Sequence, residues 1–247
     1  METPQLTPDS SVFLELGPLT LNATIVFTWL LMALLIVPAW IVTRRLAPEA
    51  QASRVQTLLE ATVSYTREQV GEIAGRRTDA ILPFSGTLVL FIGLANILAI
   101  VPGYQPPTAS LSTTTALAIV VFFAVPIYGI AIVGLGTYLR HYIEPTPIML
   151  PFRIISELSR TLALAVRLFG NMMSGEMVVA ILLLVVPLLF PVLLGALGLL
   201  TGVIQAYIFA ILATVYIASG MEASEEATAA QRDGGKPPEP ATDHEEG

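Results

Sequence analysis

The strongest constraint on this 247-residue chain is where its charged side chains are missing. No Asp, Glu, Lys or Arg occurs in the 28 residues between Glu15 and Arg44, the 60 between Asp79 and Arg140, or the 45 between Glu176 and Glu222. A helix crosses a bilayer with about 20 mostly apolar residues, because the hydrocarbon offers no water to satisfy its backbone groups. The first gap holds one span, near 22–43. The second holds two, near 80–101 and 114–139, parted by the turn-rich PGYQPPTAS at 102–110. The last two, near 154–186 and 192–221, are parted around Pro187 and Pro191. Pro126 falls inside the third span and is expected to kink it. The expected class is therefore an all-α integral membrane protein of about five membrane helices. Charged residues make up 13% of the chain, against about 25% in soluble domains.

Between the first two spans, residues 52–75 mix charges with Val55, Leu58, Leu59, Val63 and Val70 at near-helical spacing. This reads as an amphipathic interfacial helix, lying on the membrane or against a partner; an ordinary extramembrane helix fits the same pattern. Residues 1–19 form an extracytoplasmic segment ahead of a membrane domain at 20–221. They hold Glu2, Asp9 and Glu15 but no Lys or Arg, the wrong start for a signal peptide, so the first span is expected to be retained. Arg44, Arg45, Arg54, Arg67, Arg76 and Arg77 cluster in one loop, which the positive-inside rule makes cytoplasmic. The N-terminus then lies outside and the C-terminus inside. Residues 222–247 carry eight acids and two bases, −6 of the chain's net −7, and read as a disordered acidic tail. The acidity excludes a basic nucleic-acid binder. Zero cysteines and two distant histidines, His141 and His244, leave no metal site to expect, and no cofactor is expected either.

The fourth helix brings charge into the bilayer. Its 33 residues from Ile154 to Val186 make about 50 Å of helix against about 30 Å of hydrocarbon, so it must tilt steeply or run partly along the surface. The fifth is also long. Arg153, Arg160 and Arg167 recur every seven residues and share one face. Glu157 is spaced to pair with Arg153 and Arg160, and interfacial anchoring with local ion pairing accounts for those three. Arg167 lies about 10 Å further in, between LALAV and LFG, where a charge costs about 2.5–3.5 kcal/mol to insert. A guanidinium stays protonated at working pH, so Arg167 is a fixed positive charge. Glu176, nine residues on, points to the opposite face of a regular helix. It is either a proton-relaying carboxyl or a neutral packing residue. Asn171 shares the Arg167 face. On the last helix Gly195, Gly198 and Gly202 read as a close-packing stripe leading to Gln205, whose amide needs partners if buried.

Two stretches, SRTLALAVRLFGNMMSGEM (159–177) and IQAYIFAILATVYI (204–217), resemble subunit a of the F-type ATP synthase membrane sector. The likeness extends more loosely over 20–221 and includes LANILAIVPG and PTASLSTTTALAI. It implies a multi-pass subunit of the bacterial inner membrane, a stator whose last two long helices lie against the ring of c subunits. The implied partners are that ring, the peripheral-stalk b-type subunits, the rest of the ATP synthase complex and the lipid bilayer. Arg167 stands where the family has its essential arginine, Glu176 where it has a relay carboxylate, and Asn171 and Gln205 where it has polar partners. The chain departs from the common pattern at Arg153, often Glu, at Thr161, often Pro, and at Gly198, often ionisable. It departs again at Ala99 and Ser110, both often Asp. Ser110, Ser112 and Thr113 to Thr115 offer hydroxyls to an outer access path poor in carboxylates, which leaves the ion open between H⁺ and Na⁺. The chain has no GxxxxGK[ST] loop, so ATP chemistry is expected on other subunits. Two rival readings, a secondary transporter with a site at Arg167 and Glu176 and a structural scaffold, need no ring. The missing second repeat weighs against the first of them.

Overall fold

A computed structural model describes residues 12–16, 19–44, 54–101, 103–136, 138, 149–185 and 190–233. Two short strands, β1 (Val12–Leu16) and β2 (Leu19–Asn22), pair antiparallel and lead directly into α1 (Ala23–Arg44). The rest of the described chain is helical: α2 (Arg54–Ala74), α3 (Thr78–Leu98), α4 (Leu111–Val133), α5 (Met149–Val185) and α6 (Phe190–Asp233). Single 3₁₀ turns at Gly75–Arg77 and Pro107–Ala109 precede α3 and α4. Five helical stretches are long and apolar enough to cross a membrane, and they fall in α1, α2–α3, α4, α5 and α6. The hairpin is the one departure from an all-α chain. Its strands alternate around a Gly-Pro pair, a turn signal that the charge gaps do not report.

Most helix ends lie within a few residues of the charge-gap limits. α4 stops at Val133, six residues short of the expected 139, where Gly134 adopts φ +81° and its N–H bonds the Ile130 carbonyl at 2.8 Å. α5 starts earlier than expected and takes Pro151 in its first turn, where the missing N–H has no intrahelical partner to lose. It then runs unbroken through Gly170 and Gly175. α6 continues to Asp233, so residues 222–233, read above as disordered, are helical. The alanines at 223, 227, 229 and 230 favour helix there, and Gly234 and Gly235 follow it. Residues 234–247 and the 139–148 loop lie outside the described residues.

The hub is α6, which packs against α2, α3, α4 and α5. One core joins Leu88 and Ile92 of α3, Ala118 and Val121 of α4, Leu164, Ala165 and Leu168 of α5, and Ala206, Phe209, Ala210 and Ala213 of α6. A second joins Val70, Ile81, Ala124, Val125, Ile217 and Met221. Lipid tails are as apolar as these side chains, so close packing and buried hydrogen bonds hold the helices together. The Ser85 and Thr214 hydroxyls, both buried, bond at 2.6 Å between α3 and α6.

Helix α2 lies back against α3 and α6. Its packed face takes Val70 from the expected apolar stripe and leaves Leu58 and Val63 open to a membrane or a partner. Gln56, Thr66 and Val70 are buried, Leu58 and Val63 are exposed, and the Tyr207 hydroxyl of α6 donates to Gln69. Local bonds make this possible: Gln56 donates to Glu60 and Thr66 to the Thr62 carbonyl. At the turn into α3, Arg67 and Asp79 pair at 2.7 Å, both well exposed, a contact worth well under about 1 kcal/mol.

In the 103–110 connection, Tyr104 packs edge-on to Phe27 of α1, and burial pushes its phenol up to about 12. Its hydroxyl is buried without a hydrogen-bond partner among the described residues. Tyr104→Phe removes an unpaired polar atom and keeps the ring contact. It is expected to hold or raise stability, by up to about 1 kcal/mol. A clearly lowered thermal midpoint of the purified protein would show that the hydroxyl has a partner.

Candidate functional site

Because α5 is continuous, its faces can be read directly. Leu164, Ala165, Leu168 and Met172 turn inward to the core. Ser156, Arg160, Ala163, Arg167, Gly170 and Ser174 lie on the other side and are exposed. Small residues thus flank two arginines along one open lane. A Cβ added at Gly170 would meet nothing within 4 Å among the described residues.

Arg167 sits midway along this lane, and neither a hydrogen bond nor an ion pair holds its guanidinium among the described residues. One helical turn away is Asn171, half-buried, whose backbone carbonyl accepts the Ser174 hydroxyl. Glu176 is half-buried on the opposite side of the helix. Arg153 and Glu157 are half-buried, and Arg160 places its guanidinium 5.5 Å from the centre of the Tyr216 ring on α6. This cation–π contact is a partner for Arg160 that the helical spacing alone does not give.

The Arg160–Tyr216 contact ties α5 to α6, and Leu164, Ala165 and Leu168 share a core with Ala206, Phe209, Ala210 and Ala213. Arg167 and Asn171 lie about 6 Å apart along the α5 axis. Glu176 stands about 14 Å along the axis from Arg167. Gln205 is only 6% exposed, and its side-chain N–H₂ is buried without a partner among the described residues. Such a donor normally finds one.

Ser110 is fully buried, while Ser112 is exposed. Ser110 ends the 3₁₀ turn, and its carbonyl accepts the Thr114 hydroxyl at 3.2 Å. The glycine stripe divides. A Cβ at Gly202 would lie 2.9 Å from the Asn96 Cβ, whereas Gly195 and Gly198 meet nothing within 4 Å. Of the three, Gly202 alone packs against a neighbour among the described residues, and Gly195 and Gly198 face open space.

One cluster was not expected from the spacing. Asn96 of α3 is 2% exposed; it donates to the Gly202 carbonyl at 2.8 Å and accepts the Thr108 hydroxyl at 2.9 Å. Asn96, like Gln205, is an amide inside a charge-free span, and a buried amide there needs partners. Among the described residues, no group of three or more His, Cys, Asp or Glu is arranged to hold a metal. What the site offers is a fixed cation on an open helix face, a carboxyl two and a half turns away, and buried amides and hydroxyls between α3 and α6.

Residues 25–218 match the family described as ATP synthase A chain. ATP synthase subunit a 2 of Acaryochloris marina is 58% identical over 220 residues, covering 89% of this chain and 94% of that protein. ATP synthase subunit a 1 of Chlorobaculum parvum is 56% identical over 223 residues, 90% of this chain and 99% of its own length. ATP synthase subunit a of Albidiferax ferrireducens is 57% identical over 215 residues, with 87% and 93% covered.

Proposed function

The chain belongs to the ATP synthase A chain family, and from that membership we propose how it works: as the stator that carries ions past a ring of c subunits, with Arg167 as its fixed cation. The observation that carries this is the open Arg167 face. An arginine inside a long apolar helix costs a few kcal/mol to insert, and no counter-charge meets it among the described residues. A partner that periodically presents a carboxylate would supply one. The ring's carboxyl takes an ion from one half-channel, travels through lipid as a neutral group and releases the ion to the other. The guanidinium stabilises the ionised carboxylate as it passes, and its charge repels cations that would leak straight between the half-channels. A tight, dry salt bridge would stall rotation, so the pair must stay partly solvated. Each ion contributes about 2.3 kcal/mol per 100 mV, so several cross per ATP.

In this reading Glu176, Asn171 and Gln205 line the polar path beside Arg167, and Ser110 and Ser112 belong to the outer access route. Arg153, Glu157 and Arg160 form the inner rim. The subunit does no ATP chemistry itself and works in the bacterial inner membrane with the c ring and b-type stalk subunits, its N-terminus outside and C-terminus cytoplasmic. The ion is H⁺ or Na⁺. The test is ATP-driven ion uptake by vesicles carrying the reconstituted complex, with Arg167 replaced by Ala: full uptake would end this reading. Glu176→Gln keeps the size and hydrogen bonding of the side chain but cannot shuttle a proton. It is expected to slow uptake about tenfold, less than the roughly 10²- to 10⁴-fold that a positioned proton-transfer group contributes, without stopping it. An unchanged rate would reduce Glu176 to packing.

A further inference from the structure

The Asn96 cluster does more than join two helices. Asn96 is the point where α3, the Pro107–Ala109 turn and α6 meet: its N–H₂ holds the Gly202 carbonyl and its carbonyl oxygen holds Thr108. Asn96, Thr108, Ser110 and Thr114 are all buried. Gly202 is tight against Asn96, since even a methyl group there would fall 2.9 Å from the Asn96 Cβ and 3.0 Å from its Cγ. One turn further along α6 is Gln205, more than nine-tenths buried, its amide N–H₂ free among the described residues. The height and rotation of that free donor are therefore set by the contact between Asn96 and Gly202. A side chain of α3, 106 residues before Gly202 in sequence, fixes where a polar group of the ion path points.

We infer that Asn96 is a positioning residue for ion translocation, holding α6 through Gly202 so that the Gln205 amide faces the ion path. The inference rests on the stator reading above. It assigns Asn96 no contact with the ion; Asn96 acts through Gly202 and Gln205. Thr108 is the second arm of the clamp and keeps the Asn96 amide in the orientation that donates to Gly202.

The experiment uses the whole complex in inverted membrane vesicles. It measures subunit abundance, ATP hydrolysis and ATP-driven acidification from about pH 6 to about pH 8, a range below the titration of arginine and lysine. Asn96→Leu removes both hydrogen bonds, and Gly202→Ala disturbs the same contact from the α6 side. Both are expected to assemble and to lose about tenfold in pumping per assembled complex, the scale of a misplacement under 1 Å. Asn96→Asp keeps the shape, but its carboxyl donates to Gly202 only when protonated. Its rate relative to wild type is therefore expected to fall as pH rises, a profile that a loss of packing alone does not produce.

Wild-type pumping by assembled Asn96→Leu complexes would overturn the inference. So would pumping losses in Asn96→Leu and Gly202→Ala that only follow subunit abundance, with Asn96→Asp showing no pH dependence. Arg167→Ala run in parallel separates the two levels. If it pumps, the stator reading falls. If it is silent while Asn96→Leu pumps normally, only the role of Asn96 falls.

Discussion

Replacing Arg167 with Ala is expected to reduce ATP-driven ion pumping by at least about a hundredfold while leaving the subunit assembled. The loss matches what removal of one pre-placed electrostatic group commonly costs, about 10² to 10³ in rate. Retention of the fold follows from the geometry: Arg167 is exposed, its guanidinium has no partner among the described residues, and the core is built by its neighbours Leu164, Ala165 and Leu168. An exposed side chain outside the core contributes within about 0.5 kcal/mol to stability. Arg167→Lys keeps the charge but loses the planar fork, so partial activity at best is expected. The readout is acidification by reconstituted vesicles, normalised to subunit content. A complex that fails to assemble with Ala at 167 would instead mean that the arginine is structural.

The second large effect lies in the core. Phe209 is 0% exposed at the junction of α3, α4, α5 and α6. Phe209→Ala is expected to cost about 3 kcal/mol, the low end for such a truncation. The low end applies because, in a bilayer, the side chain gains little by leaving lipid; what is lost is dispersion contact around the cavity. The expected result is a lower thermal midpoint of the purified complex and less subunit in the membrane, with Phe209→Leu much milder. Phe152→Ala is the control, because Phe152 is 69% exposed. Equal midpoints for Phe209→Ala and Phe152→Ala would mean that the four helices do not meet at Phe209.

Much of the architecture was legible in local patterns. The charge gaps located all five apolar stretches, and the seven-residue arginine spacing placed Arg167 on a face that the structure leaves open. The separation of α5 from α6 followed from the prolines, with α5 ending at Val185 and α6 starting at Phe190. The apolar residues of α2 divide: Val70 is buried beside Gln56 and Thr66, whose local hydrogen bonds satisfy them, while Leu58 and Val63 stay outside, open to a membrane or a partner. The glycine stripe divides as well, Gly202 alone of the three facing a neighbour among the described residues.

The sequence by itself determined the number and approximate limits of the membrane helices and the depth of Arg167. Both follow from properties of a single segment: hydrocarbon excludes charge, and a helix advances about 1.5 Å per residue. The tertiary structure alone decided which faces those helices use against one another. An almost wholly apolar helix such as α4 presents nearly equivalent faces, so its pattern carries little information about its neighbours. The bond from Asn96 to Gly202, the stacking of Arg160 on Tyr216 and the buried amide of Gln205 all depend on interhelical register. Packing and a few buried hydrogen bonds set that register, because lipid gives no face of these helices a preference of its own.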